Sequence, residues 1–177
     1  MTFRTGDVVV PLHDDAGALV NLQLINADGL KRTLKGGAVK GACHIIGGQK
    51  QAGKRLWIAE GYATALTVHH LTGETVMWRC RRESPFSGEP CPSETPGLSI
   101  VLAADRDLNG DGQSKAAAAA EACEGIVALP PVFGDWNDAF MRTAGRPRGK
   151  RFMMPSGTGT KSVRHHERGG IYRHEHQ

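Results

Sequence analysis

A chain of 177 residues with 40% hydrophobic side chains is long enough to form one domain with its own core. Its 22 Lys and Arg residues outnumber its 18 Asp and Glu residues, so the formal charge of +4 favours an anionic partner. No apolar stretch reaches the length of a membrane span and no signal peptide is visible, so we expect a cytoplasmic protein without a membrane partner. The four cysteines are widely spaced and form no C-x-x-C pair, which argues against a zinc site.

The N-terminal part of the chain is predicted to be rich in β-structure. Alternating apolar residues separated by turn residues indicate short strands over residues 7–12, 18–25, 31–34 and 43–46. We therefore expect a small β-rich subdomain over residues 1–53. Lys35 and Lys40 in this region are candidate contacts for nucleic acid or nucleotides, although a solvated surface explains such lysines equally well.

The next apolar run, residues 56–59, predicts a buried strand that ends in the carboxylate Glu60. A helix over residues 62–71 is predicted to follow it and to end at Gly73. Its expected buried face consists of Ala63, Leu66 and Leu71.

Residues 78–95 do not fit an α/β pattern. A strand begins at residue 75, but from Trp78 onward charged residues occupy the expected core positions and prolines forbid a regular helix. A shifted reading frame through this segment would encode an apolar strand end. We therefore hypothesise that residues 78–95, and the segment beyond about 146, are out of frame relative to an ancestral gene. The alternative is a genuine loop and a genuine basic tail, with residues 143–177 disordered.

The segment from Ser99 to Gly112 predicts a buried strand, an acidic loop and then an alanine-rich helix over residues 113–123. Asp105 and Asp107 would stand at the carboxyl end of this strand, where ligands bind in open α/β sheets. Two close carboxylates repel each other, and a hard divalent cation such as Mg²⁺ relieves that repulsion. The predicted chemistry is metal-assisted reaction at phosphates.

Two other interpretations of the acidic loop stay open at this point. Asp105, Asp107 and Asn109 match the first half of an EF-hand calcium loop, but Ala116 stands where that loop requires a bidentate Glu. The loop could also be a plain solvated turn. One observation argues against both interpretations: the strand before Glu60 is also a short apolar run that ends in a carboxylate. Because parallel strands end on one edge of a sheet, Glu60, Asp105 and Asp107 can converge.

The segments EGYATA and AADRDLNGDG resemble the Toprim domain, particularly that of primase-like proteins of phages, plasmids and integrated elements. Lys35, Gly36 and Gly37, the segment His44 to Gly47, and the later segment Gly134 to Phe140 extend the resemblance. The resemblance implies an α/β fold, a Rossmann-like parallel sheet flanked by helices and preceded by the small β-rich subdomain. The catalytic core would span residues 54–142.

The resemblance also implies a nucleotidyl-transfer site. Glu60 would act as general acid and base, and Glu60, Asp105 and Asp107 would hold Mg²⁺ or Mn²⁺. Possible additional site residues are Asp135, Asp138 and Asn109, although turn and capping roles explain residues of this kind equally well. A third candidate lysine for nucleic acid or nucleotides is Lys115.

The activity implied by the resemblance is synthesis of RNA primers on single-stranded DNA, from a truncated or frameshifted copy of a primase gene. Implied partners are single-stranded DNA, nucleotides and a replicative helicase on another chain. A Toprim nuclease and an inactive nucleic-acid-binding remnant are the alternatives, because the same acids serve strand cleavage and the irregular segment interrupts the core.

Overall fold

The computed structural model describes residues 4–49, 54–80, 97–144 and 171–173. Its helices are α1 (Tyr62–Thr72), α2 (Asp111–Ala122) and α3 (Trp136–Ala144). Its strands are β1 (Val8–His13), β2 (Leu19–Ile25), β3 (Lys31–Thr33), β4 (Cys43–Ile46), β5 (Arg55–Ala59), β6 (Thr75–Arg79), β7 (Ser99–Ala103), β8 (Ile126–Ala128) and β9 (Ile171–Arg173). In these residues no helix is long and apolar enough to span a membrane.

All described strands belong to one mixed sheet with the order β3-β2-β1-β4-β6-β5-β7-β8-β9. The four central strands, β6, β5, β7 and β8, run parallel, and the remaining strands pair antiparallel. The predicted α/β class, with a largely parallel sheet flanked by helices, is confirmed. The N-terminal strands extend this same sheet, since β1 joins β4 through the single pair His13 and Cys43.

The sheet buries both faces, because the helices cover it from two sides. On β5, Trp57 and Ala59 pack in a cluster with residues of α1 and α3. Leu56 and Ile58 alternate with them and pack in a second cluster with the alanines of α2. This alternation is the two-residue period of a strand, and burial on both faces explains why the parallel strands are continuous apolar runs.

The predicted buried face of α1 is confirmed for Leu71, which is partly buried against the core, and is wrong for its other two residues. Ala63 is exposed and Leu66 is 43% exposed, whereas the buried positions are Thr64, Ala65, Thr67 and Val68. The reason is tertiary, because α1 packs both on the sheet and beside α3, where small side chains permit close approach. The hydroxyl of Thr67 donates to Asn137 Oδ1 of α3 at 3.2 Å. Gly73 ends the helix as expected, with φ of 69° and its N–H bonded to the His69 carbonyl.

The strand that begins at residue 75 does not stop at Trp78, so the predicted start of the irregular segment is wrong for its first residues. Trp78 pairs with His44 across β4, its ring lies 5.4 Å from that of Tyr62, and only 3% of it is exposed. Arg79 is also a strand residue. A strand between two partners is held by backbone hydrogen bonds that do not depend on side-chain type, and the core accommodates the indole. The pairing of Trp78 and Arg79 does not test whether residues 78–95 are out of frame. Residues 81–95 lie outside the described residues, and of the segment beyond 146 only Ile171–Arg173 is described.

The C-terminal part differs from the predicted disorder at two places. Residues 143 and 144 belong to α3, a helix that the sequence did not predict and whose Trp136 is fully buried. Three tail residues form β9, antiparallel to β8, with Tyr172 opposite Val127. The free edge of β8 offers unpaired backbone groups, and a short strand satisfies them whatever its side chains. The rest of the predicted tail lies outside the described residues.

The two faces of α1 give a direct test of this packing. Val68→Ala should lower the free energy of unfolding by about 2 kcal/mol, because it removes two buried methyl groups and leaves a cavity. Leu66→Ala, the larger truncation, should change the free energy of unfolding by about 0.5 kcal/mol or less, as is usual for exposed positions. Chemical denaturation of both variants measures this, and a larger loss for Leu66→Ala would contradict the observed orientation of the helix.

Candidate functional site

An open cleft of about 750 Å³ lies at the carboxyl ends of the parallel strands. Glu60 follows β5, and Asp105 and Asp107 follow β7, so in-register pairing of Ala59 with Ala103 brings both loops to one edge. The structure thus places the three predicted acids around the same cleft. The full lining consists of Glu60, Asp105, Asp107, Leu108, Asn109, Asp111, Gly112 and Lys115.

Asp105 is the most perturbed acid of the cleft. Its Oδ1 atom is buried and has no hydrogen-bond partner among the described residues. Burial, followed by the negative charges of four neighbouring carboxylates, raises the pKa of Asp105 to about 7; those neighbours are Glu60, Asp135, Asp107 and Asp138. A buried carboxylate oxygen without a donor is costly, and a cation is one group that satisfies it.

Glu60 also lines the cleft, and solvent reaches its side chain. Partial desolvation at the strand end raises its pKa, and the charge of Asp107 acts in the same direction. Two lysines, Lys115 and Lys31, oppose this rise. The backbone here is fixed, because the indole N–H of Trp78 donates to the Glu60 carbonyl at 3.0 Å.

Asp107 is tied to the start of α2. Its Oδ2 atom accepts the Gly112 N–H at 3.0 Å, and its carbonyl accepts the Gln113 side-chain amide at 2.9 Å. A Cβ atom at Gly112 would lie 2.5 Å from Asp107 Oδ2, so only glycine permits this contact. Gly112 is therefore a site residue that the sequence analysis quoted without giving it a role. The helix N-terminus also stabilises the negative charge of Asp107.

Asn109 shapes the turn before α2. Its Nδ2 donates to Asp111 Oδ2 at 2.9 Å, and its Oδ1 accepts the Asp111 N–H at 3.3 Å. The calcium-loop alternative also fails, because an EF-hand loop follows a helix and this loop follows the strand β7.

Asp135 and Asp138 are brought next to the cleft by a backbone bridge. Arg106 and Gly134 exchange two hydrogen bonds, of 2.9 and 3.1 Å, so the loop before α3 lies beside the loop after β7. Asp135 Oδ1 accepts the Asp138 N–H at 2.7 Å, which caps α3. The capping alternative therefore holds for Asp135, while both charges still reach Asp105.

The candidate lysines separate into two groups. Lys115 lines the cleft and its charge lowers the pKa of Glu60. Lys31, which the sequence analysis did not single out, acts on Glu60 in the same way. Lys35 and Lys40 are exposed, and neither is among the charges that shift the pKa of Glu60 or Asp105. The composition of the N-terminal region indicated basic residues, but only the fold shows that Lys31 of β3 is the one whose charge acts on Glu60.

The donor set of the cleft suits a hard divalent cation. Among the described residues, no three His, Cys, Asp or Glu side chains are close enough together to hold one metal ion. Mg²⁺ does not require such a cage, since it keeps several waters and is bound by one or two carboxylates plus substrate phosphates. The unpartnered Asp105 Oδ1 fits a ligand of that kind.

Comparison with known proteins agrees with this arrangement. The family model of the Toprim domain matches residues 55–145, which contain every acid of the cleft. The DNA primase TraC of Escherichia coli is 32% identical over 141 residues, covering 74% of this chain. The match covers only 13% of the length of that primase.

Solved structures with a similar fold include two primases. The primase fragment of the bacteriophage T7 primase-helicase superposes with a TM-score of 0.54 at 17% identity, over 77% of this chain and 57% of that one. A DnaG primase catalytic domain bound to single-stranded DNA gives 0.53 at 10% identity, over 78% of this chain and 48% of that one. At these identities the similarity establishes the fold alone. Because the family model covers just over half of the chain, including the whole acidic cleft, the chain belongs to the Toprim domain family.

Proposed function

We propose that the chain carries out metal-dependent nucleotidyl transfer of the DNA primase type, making RNA primers on single-stranded DNA in phage- or plasmid-type replication. The observation that carries this proposal is the buried, unpartnered oxygen of Asp105 among four other carboxylates at a strand end. Such a cluster is unfavourable without a cation, and a cation there would face an open cleft large enough for a nucleotide. The identity to a plasmid-type primase supports the choice of reaction.

In this proposal Glu60 is the general acid and base. Its raised pKa brings the carboxylate nearer to neutral pH, where a group can both take and return a proton. The carboxylate would take the proton of the attacking 3′-hydroxyl. Trp78 holds the Glu60 backbone, so this indole is a positioning residue.

Asp105 and Asp107, with Glu60 opposite, would hold Mg²⁺ or Mn²⁺. A bound cation of this class polarises a phosphoryl oxygen and neutralises charge that develops on it. Asp135 and Asp138 add negative potential behind Asp105, which strengthens the attraction for the cation without direct contact. Asn109 holds the loop in shape.

The lysines would serve the anionic substrates. Lys115 and Lys31 flank Glu60 and are suited to nucleotide phosphates, while Lys35 and Lys40 would contact a DNA strand farther out. Further proposed partners are single-stranded DNA and a replicative helicase on another chain. We also retain as proposals a β-rich unit over residues 1–53 and a catalytic core over residues 54–142.

Substitution of the two central acids tests the activity. Glu60→Gln should lower the rate of primer synthesis about 100- to 10,000-fold, because the general base is lost. Asp105→Asn should reduce the rate to a comparable extent by weakening the metal site. Glu121→Gln on the exposed side of α2 and Asp15→Asn in the β1–β2 turn are the matched controls and should leave the rate unchanged. The assay contains a single-stranded template, ribonucleotides and Mg²⁺.

The same assay separates the alternatives. If the unaltered chain nicks DNA without ribonucleotides, and Glu60→Gln and Asp105→Asn do not, the chain is a nuclease and the primase proposal fails. Binding of single-stranded DNA with no turnover in the unaltered chain would indicate an inactive remnant. Sequencing the coding DNA tests the frame hypothesis separately. Stop codons in the shifted frame, or the lack of a primase-like peptide across residues 78–95 and the segment beyond about 146, would overturn it.

The pKa of Asp105 gives a prediction that does not depend on activity. Its value in the folded chain, about 7, lies above the ordinary value of 3.8. Below about pH 4 the group is neutral in both folded and unfolded chains, and the stability of the metal-free protein should fall as pH rises from about 4 to 7. At pH 8 in a chelator, Asp105→Asn should therefore melt about 2–4 °C above the unaltered protein, allowing for solvent screening, and at pH 4 the two should melt together.

Added Mg²⁺ completes this test. It should raise the melting temperature of the unaltered chain at pH 8 more than at pH 5, because protonated Asp105 does not bind a cation. The Asp105→Asn variant should respond weakly at both values of pH. Equal stabilisation of both proteins by Mg²⁺ would place the cation elsewhere.

A further inference from the structure

Beside the loop that carries Asp105 and Asp107, an exposed aromatic ring is backed by a guanidinium group. The Cζ atom of Arg106 lies 5.5 Å from the centre of the Phe133 ring, the geometry of a cation–π contact. Arg106 Nη1 donates to the Pro131 carbonyl at 3.2 Å, which holds the guanidinium over the ring. We call these two side chains the Arg106–Phe133 pair.

The pair is fixed with respect to the cleft acids by backbone alone. Arg106 stands between Asp105 and Asp107, and Phe133 directly precedes Gly134, the residue that exchanges two hydrogen bonds with Arg106. The bridge therefore holds the backbone of Phe133 beside the loop that carries the acids.

The Phe133 side chain is more exposed to solvent than is usual for phenylalanine. The residue is 54% exposed, although phenylalanine is among the residue types most often buried. Leu108, in the loop that lines the cleft, is 86% exposed. A single exposed apolar residue is ordinary, but an exposed planar ring held by a guanidinium beside the acidic loop can receive another planar group.

We propose that the Arg106–Phe133 pair stacks a nucleobase beside the acidic loop. Every nucleobase has a π-face, so stacking on an aromatic ring is tolerant of sequence and contributes to binding of single strands. The inference rests on the proposed function in one respect, that the ligand is a nucleic acid or nucleotide.

Binding measurements with matched oligonucleotides test the stacking. Fluorescence anisotropy with a labelled single strand in Mg²⁺ should give a Kd about tenfold higher for Phe133→Ala and for Phe133→Leu, because neither side chain offers a π-face. Phe133→Trp should bind within about twofold of the unaltered chain. Met141→Ala, a truncation of a 64% exposed apolar residue on α3, is the control and should bind normally. Melting temperatures of all four variants should stay within about 2 °C of the unaltered chain, since these sites are exposed.

A strand of abasic sugar-phosphate separates stacking from general binding. On that ligand Phe133→Ala should bind like the unaltered chain, since no base is present to lose. The proposal is overturned if Phe133→Ala loses the same affinity for the abasic strand as for the normal strand. It is also overturned if the variant loses less than twofold in affinity for both the normal strand and a ribonucleoside triphosphate. If only the affinity for the triphosphate falls, the pair stacks the base of the incoming nucleotide. If the affinity for the normal strand falls, the pair stacks a base of the template or primer. Either result supports stacking.

The outcome is independent of the catalytic test. Phe133→Ala can lose base-dependent binding even if no primers are made, in which case stacking stands and the primase proposal fails. Conversely, if primer synthesis depends on Glu60 but Phe133→Ala binds nucleic acid as tightly as the unaltered chain, only the stacking proposal is overturned.

Discussion

In-register parallel pairing of β5 with β7 is the constraint on which the cleft depends. It places Ala59 beside Ala103, so the first residues after the two strands emerge at the same edge of the sheet. Burial on both faces prevents a shift of register, because a slip by one residue would exchange the two hydrophobic clusters. Acids separated by more than forty positions in the chain are thus held together by an apolar core that they do not touch.

That arrangement concentrates negative charge, and the structure shows how the fold tolerates it. Asp107 accepts a hydrogen bond from the first turn of α2, and Asp135 caps α3, so two of the acids are stabilised by helix N-termini. Asp105 receives no such hydrogen bond at its buried oxygen, and its raised pKa records the uncompensated cost. Asp107 and Asp135 thus have structural partners, whereas the buried oxygen of Asp105 lacks one, so Asp105 is the acid that a bound cation would stabilise most.

The N-terminal strands have a part in the same site. Gln23 of β2 donates to the buried thiol of Cys80 at 3.3 Å, and Lys31 of β3 acts electrostatically on both Cys80 and Glu60. The β1–β3 strands therefore reach the carboxyl edge of the parallel sheet. Trp78, in the segment that the sequence analysis suspected of being out of frame, holds the Glu60 backbone and packs on Tyr62. A residue that looks foreign by local pattern is thus integrated by the tertiary fold.

The sequence by itself determined the strand–acid–helix units, because buried parallel strands are continuous apolar runs and their ends are marked by charged and turn residues. It therefore predicted the class of fold and the three acids of the cleft. Only the tertiary structure decided which face of α1 is buried, since that depends on α3, and that β6 continues through Trp78 and Arg79, since backbone pairing does not depend on side-chain type. It also decided that the charge of Lys31, rather than that of Lys35, acts on Glu60, and that the buried oxygen of Asp105 lacks a hydrogen-bond partner. Both facts depend on how close separate segments lie to each other, and no local sequence pattern encodes that.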